Sequence, residues 1–132
     1  MTFGLDTSVV LRLLTGQPQE LAARALARYQ DGIAAGDDFC VSDVVAAEAY
    51  FALQQHYRKT KEEALEALKG FSSGEGISFS QNFAMSINTP DIHNANPGFV
   101  DRMLVSSYRG QGQITLSCEK SFKRLADTEV IS

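Results

Sequence analysis

The chain has 132 residues, of which 44% are hydrophobic, and a formal net charge of −4. This length is typical of one domain with a sizeable buried core, so we expect a single domain over residues 1–132. The acidic balance disfavours a DNA-binding scaffold, which would carry a broad basic surface, but not an enzyme that reaches phosphate through bound metal ions.

Short apolar runs alternate with helical patterns along the whole chain. Pro18 is suited to the first turn of a helix, Ser42 to an N-cap, and Thr60 with Glu63 to a capping box. In chain order, the first part is predicted to contain a strand at 2–5, helices at 6–14 and from 18 to before 36, a strand at 39–41, and helices at 44–57 and 60–69. A loop at 70–76 leads to a strand at 77–79 and a helix at 81–87, and an irregular connection follows at 88–98. The last part is predicted to contain a helix from 96 to 108, a strand at 114–117, a helical turn at 120–125 and an edge strand at 129–131.

Strands that alternate with helices predict an α/β fold with a mostly parallel sheet and helices on both faces. The amino terminus carries no basic region followed by a long apolar stretch, and no run approaches membrane-spanning length. We therefore expect a soluble, cytoplasmic protein. The two cysteines, Cys40 and Cys118, match no metal motif and predict buried free thiols.

Two acidic residues follow predicted strands directly. Asp6 comes after the first strand and Glu119 after the fourth. Right-handed crossovers put the carboxyl ends of parallel strands at one sheet edge, which is where α/β folds bind ligands. Asp6 with Thr7 and Ser8 is also a good helix cap, and Glu119 can cap the turn that begins near Lys120.

Two further acids lie within predicted helices. Glu48 shares a helical face with Val44 and Phe51, which predicts a partly buried carboxylate. Asp101 lies early in its helix, one turn from Leu104. The alternatives are an ion pair of Glu48 with an arginine, either Arg12 or Arg102, and a helix-dipole role for Asp101.

Gathered carboxylates repel one another and need a cation, and an all-oxygen ligand set favours Mg²⁺ or Mn²⁺. Such ions promote phosphoester hydrolysis. Among the basic residues, Arg102 and Arg109 are the best candidates for phosphate contacts, because they share a helix with Asp101.

Four segments together resemble the PIN-domain ribonucleases, and specifically the VapC-type toxins of bacterial toxin–antitoxin modules. These segments are LDTSVVLRLLTG, FCVSDVVAAEAYFAL, NPGFVDRMLVSSYRGQG and ITLSCEKSFKRLADTEVI. The resemblance implies a three-layer α/β/α sandwich, a Mg²⁺- or Mn²⁺-dependent endoribonuclease, a homodimer and a cognate small DNA-binding antitoxin. It also implies that Asp6 and Asp101 are metal ligands, that Glu48 is a ligand or a water-positioning base, and that Ser8 supports the site.

The chain departs from this family at Glu119, where a Thr-Phe-Asp-like triplet is usual and Ser117-Cys118-Glu119 stands instead. The longer side chain puts the fourth metal ligand in question. One alternative is therefore a catalytically weakened PIN module that binds antitoxin or RNA. A haloacid-dehalogenase-type phosphatase is a weaker alternative, because its nucleophilic Asp needs a second acid two residues later and Ser8 occupies that position.

Overall fold

The structure is a computed structural model that describes all residues, 1–132. The chain forms two compact units, Met1–Ser80 and Gln81–Ser132. That residues 1–132 act as a single domain stays a prediction. No helix is both long and apolar enough to cross a membrane.

The first unit contains a three-stranded parallel sheet in the order β1-β2-β3. Phe39 of the central strand is in register with Phe3 and Ile77 of its two neighbours. The elements of this unit are β1 (Thr2–Gly4), α1 (Thr7–Thr15), α2 (Gln19–Ala34), β2 (Asp38–Val41), α3 (Asp43–Gln55), α4 (Lys61–Ser72) and β3 (Ile77–Phe79).

Helix starts in this unit follow the predicted caps. Asp6 caps α1, Ser42 caps α3 through the backbone N–H of Val45, and Thr60 with Glu63 forms the predicted capping box of α4. Helix α1 ends at Gly16, which adopts the left-handed conformation that glycine tolerates without strain. Because the strands are parallel, the residues that follow β1 and β2 leave the sheet at the same edge, and Asp6 lies there.

Apolar side chains on α1, α3 and α4 form the core of the first unit. Those that are almost completely buried include Val10, Ala46, Ala49, Leu53, Ala64 and Leu68. Small alanines on α3 allow α1 and α4 to pack against it closely. This packing fixes the direction of α1, and with it the position of Asp6.

The second unit contains a two-stranded parallel sheet. Its core includes Phe83 and Phe99, whose rings meet edge to face with their centroids 5.6 Å apart. The elements are α5 (Gln81–Ile87), a 3-10 helix (Ile92–Asn94), α6 (Phe99–Gly110), β4 (Thr115–Ser117), a second 3-10 helix (Lys120–Arg124) and β5 (Thr128–Val130).

Three predictions about local structure are wrong in part. Helix α4 continues to Ser72 into the predicted loop, because Phe71 packs edge to face on Phe79 of β3 and outweighs the low helix propensity of Gly70. The connection 88–98 contains a 3-10 helix that buries Ile92. Both cysteines are free as expected, but Cys118 is exposed and Cys40 is only partly buried.

Candidate active site

Asp6 lies at the start of α1 and accepts hydrogen bonds from the residue two positions later. The Ser8 hydroxyl donates to Asp6 Oδ2 over 2.7 Å, and the Ser8 backbone N–H donates to the same oxygen over 3.4 Å. These bonds, the hydroxyl first, lower the pKa of Asp6 below its ordinary value. Asp6 is therefore both a helix cap and an exposed, ionised carboxylate, and the two interpretations of this residue are compatible.

Thr7 connects the second carboxylate of the first unit to the same helix start. Its hydroxyl donates to Glu48 Oε1 over 3.1 Å. Consecutive residues of α1 thus hold Asp6 and Glu48, and the positive end of the helix dipole favours negative charge at this point. Sequence reasoning assigned Thr7 no such role. Its position between Asp6 and Ser8 is the signal that could have suggested one.

The expectation that Glu48 is partly buried is wrong. Glu48 is exposed, and the apolar residues on its helical face are also exposed, Val44 by 69% and Phe51 by 45%. The buried face of α3 is the one that carries Ala46, Ala49 and Leu53. A helix with apolar residues on both faces gives no sequence signal for which face is the core.

The ion pair considered for Glu48 is not formed either. Arg12 donates to the hydroxyl of Tyr57 over 3.2 Å, and Arg102 donates to the backbone carbonyl of Pro97 over 2.7 Å. Glu48 instead accepts from a neutral hydroxyl, which leaves its charge uncompensated. A carboxylate in this state is free to bind a cation.

The second unit brings together the other two candidate acids. Asp101 lies in the first turn of α6 and is partly buried, and Glu119 follows β4. Burial raises the pKa of Asp101 above its ordinary value, and repulsion from the Glu119 carboxylate raises it further. The first-turn dipole stabilises an Asp101 anion, but desolvation and repulsion outweigh it.

Glu119 occupies the N-cap position of the second 3-10 helix, yet its side chain makes no capping hydrogen bond. Its backbone N–H donates to the Ser117 hydroxyl over 3.0 Å, so Ser117 shapes this turn. Glu119 thus has the predicted cap position, but its carboxylate does not cap through a hydrogen bond. The Glu119 carboxylate is exposed, and its negative charge contributes to the raised pKa of Asp101.

The candidate acids thus form two pairs, one in each unit. No group of three or more His, Cys, Asp or Glu side chains is arranged so as to hold a metal ion. That all four acids and Ser8 belong to one site stays a prediction.

Two arginines expected to contact phosphate have internal partners. Arg109 pairs with Asp127 over 2.8 Å and donates to the carbonyl of Ala126. Arg102 donates through Nε to Pro97, as described above. Both side chains therefore hold the ends of α6 to neighbouring backbone, a role that the sequence does not reveal because the partners are carbonyl groups.

The family model of the PIN domain matches residues 4–128. Comparison with curated proteins gives no significant match. A similar solved structure is the crystal structure of VapBC2 from Rickettsia felis bound to a DNA fragment from their promoter, with 16% identity, a TM-score of 0.44, and coverage of 99% of this chain and 98% of that chain.

The match over nearly the whole chain shows that this protein belongs to the PIN domain family. PIN domains are in general nucleases, and they typically use divalent metal ions. The predicted α/β fold of PIN type is confirmed. The family assignment also leaves the phosphatase alternative without support.

The raised pKa of Asp101 predicts how stability depends on pH. A carboxyl whose pKa is higher in the folded than in the unfolded state destabilises the fold wherever it is ionised. Asp101→Asn should therefore raise the melting temperature of the metal-free protein at neutral pH. The gain should shrink as pH falls through the raised pKa of Asp101 and be absent below the ordinary Asp value of about 3.9, where the carboxyl is protonated in both states.

Thermal denaturation followed by circular dichroism across this pH range measures the effect. Asp31→Asn, which neutralises an exposed acid on α2, is the matched control and should leave the melting temperature close to that of the wild type. A lower melting temperature for Asp101→Asn at neutral pH would show that its first-turn dipole interaction dominates.

Proposed function

We propose that this chain is a Mg²⁺- or Mn²⁺-dependent endoribonuclease and the toxin of a toxin–antitoxin module. Membership of the PIN family supports a nuclease. The observation that carries the proposal is the Asp101–Glu119 pair: Asp101 is partly buried, and burial first and the Glu119 carboxylate second raise its pKa. Acidic groups with perturbed pKa values cluster at functional sites, and a bound cation would offset both effects. The resemblance of the four sequence segments to VapC-type toxins supports the finer assignment.

The candidate residues suit a hard divalent cation. All four are carboxylates, the oxygen ligands that Mg²⁺ and Mn²⁺ prefer, and no thiol or imidazole is among them. Bound there, the ion would lower the pKa of a water molecule and stabilise the leaving oxygen of the phosphodiester. Asp6, Asp101 and Glu119 would hold it. The resemblance to the family supports the participation of both pairs in one reaction.

The remaining residues position these carboxylates. The Ser8 hydroxyl fixes the orientation of Asp6 and keeps it ionised, so Ser8 acts through Asp6. The Thr7 hydroxyl orients Glu48 through its hydrogen bond to Oε1. Because Glu48 is exposed and free of a cationic partner, it can serve as a ligand or as the base that orients the attacking water.

The purified protein should cleave RNA only when Mg²⁺ or Mn²⁺ is present, and EDTA should abolish cleavage. Asp6→Asn and Asp101→Asn should each lower the rate about 100-fold or more, since even outer-shell changes at metal sites cost 10- to 100-fold. Asparagine remains a good N-cap at position 6, so the fold should persist. Cleavage of a labelled oligoribonucleotide measures the rates.

The double variant tests whether both pairs serve one reaction. If they do, Asp6→Asn combined with Asp101→Asn should be little slower than either single variant, because residues that act as a unit are strongly non-additive. Asp31→Asn is the control and should keep full activity. Cleavage that persists in excess EDTA, or independent losses that multiply in the double variant, would contradict the proposal.

Glu119 tests the departure from the family pattern. Its extra methylene should displace the carboxylate and favour the ion with looser geometric demands, so Mn²⁺ should support activity better than Mg²⁺. Glu119→Asp should raise Mg²⁺-dependent turnover, and Glu119→Gln should lower it because it removes the charge at constant length. Rates unchanged in both metals for both variants would leave a site of three acids.

The toxin assignment predicts a protein partner. Expression of this chain alone should arrest growth, and co-expression with a small DNA-binding protein encoded beside it should restore growth and yield a stable complex. An arginine of the partner that reaches the carboxylates would suit their geometry. The Asp101→Asn variant is the control and should be harmless alone. Harmless expression of the wild type, with no complex, would favour a weakened module.

A further inference from the structure

A cavity of about 320 Å³ lies between α1 and α2 and begins at Ser8. One side of the cavity is formed by α1 and the other by α2. On each helix the lining residues include positions three or four apart, which share a helix face. Two of its side chains are cationic and none is acidic. The lining residues are Ser8, Val9 and Arg12 of α1 with Leu21, Arg24 and Ala25 of α2.

Arg12 has an incompletely satisfied guanidinium group. Its Nη1 donates to the hydroxyl of Tyr57 over 3.2 Å, while its Nε is buried and has no hydrogen-bond partner. A neutral hydroxyl does not compensate the charge. Because Nε is inaccessible to water, a ligand in the cavity would meet the Nη end of the guanidinium, whose charge has no acidic partner.

A structural role explains only part of this arrangement. Arg12 lies in the last turn of α1, where a cation complements the helix dipole. That role does not account for Arg24, which lies on another helix and faces the same cavity. Nor does it explain why the cavity reaches Ser8, the residue whose hydroxyl donates to Asp6. Two cations that line one cavity suit a phosphate group, and the Ser8 hydroxyl, whose proton is donated to Asp6, is not a further donor to it.

We propose that this cavity binds the phosphate of single-stranded RNA that neighbours the scissile one, with Arg12 and Arg24 as its ligands. The proposal rests on the nuclease function proposed above. Ser8 and Arg12 are four residues apart, about 6 Å along the helix axis, which is comparable with the step between consecutive phosphates of an extended strand. A strand whose scissile phosphate lies at Asp6 therefore presents its next phosphate along α1. The cavity acts in substrate binding, not in the chemical step.

Binding measured without cleavage tests this site. Arg12→Gln and Arg24→Gln are made in the full chain carrying Asp101→Asn, and binding of a labelled oligoribonucleotide is followed by fluorescence anisotropy in EDTA at several salt concentrations. Each substitution should weaken binding about tenfold. Each should also flatten the slope of log affinity against log salt by about 0.7, the value for one lost phosphate contact on a single strand.

Lys69→Gln, which removes one exposed positive charge from α4, is the matched control and should change neither quantity. Arg24 is exposed, so Arg24→Gln decides the question even if Arg12→Gln fails to fold. Affinity and slope equal to those of the control for both variants would overturn the proposal. So would normal RNA binding combined with loss of the antitoxin complex, because the cavity would then bind protein.

The nuclease proposal can fail independently of this one. Wild-type protein that binds RNA with the predicted dependence on Arg12 and Arg24, yet cleaves none in Mg²⁺ or Mn²⁺, would retain the phosphate site and refute the catalytic function. Cleavage that is normal while both arginine variants bind like the control would refute the phosphate site alone.

Discussion

The free-energy cost of keeping a carboxylate charged is the constraint on which this candidate site depends. Near the start of α1, Ser8 donates to Asp6 and lowers its pKa, and Thr7 donates to Glu48. In the second unit burial, followed by repulsion from Glu119, raises the pKa of Asp101. Hydrogen bonds and the helix dipole lower the cost of keeping an acidic group charged, whereas burial beside another acid increases it. The same residue type therefore has opposite properties in the two units.

Much of the local structure follows from short-range chemistry and could be predicted. The caps at Asp6, Ser42 and Thr60 are decided by side-chain oxygens that bond backbone N–H groups a few residues away. Strand positions follow from apolar runs bounded by polar residues, and their alternation with helices is enough to predict parallel pairing. The position of Asp6 at the sheet edge could be predicted for the same reason, because it depends only on the strand before Asp6 and on the helix that Asp6 caps.

The environments of the other site residues depend on contacts between distant segments. Glu48 has apolar neighbours on its helical face, but whether that face is buried is decided by α1 and α4, which pack on the alanine face of α3. Arg109 and Arg102 bond to backbone carbonyls, and every residue offers one, so no pattern identifies these partners. The sequence shows which groups can ionise or donate, while tertiary packing decides which of them remain available.

This availability bears on how an acidic protein could act on a polyanion, as the proposed function requires. The net charge of −4 gives no long-range attraction to RNA, so the proposed binding depends on local charges that have no internal partner. Arg109 is neutralised by Asp127, whereas Arg12 meets only the hydroxyl of Tyr57. The proposed phosphate site therefore lies on the first unit, next to Asp6, although the arginines beside Asp101 are closer to an acid in sequence. A cation without a carboxylate partner is a better guide to phosphate binding than a cation near the candidate acids, because its charge is not already compensated.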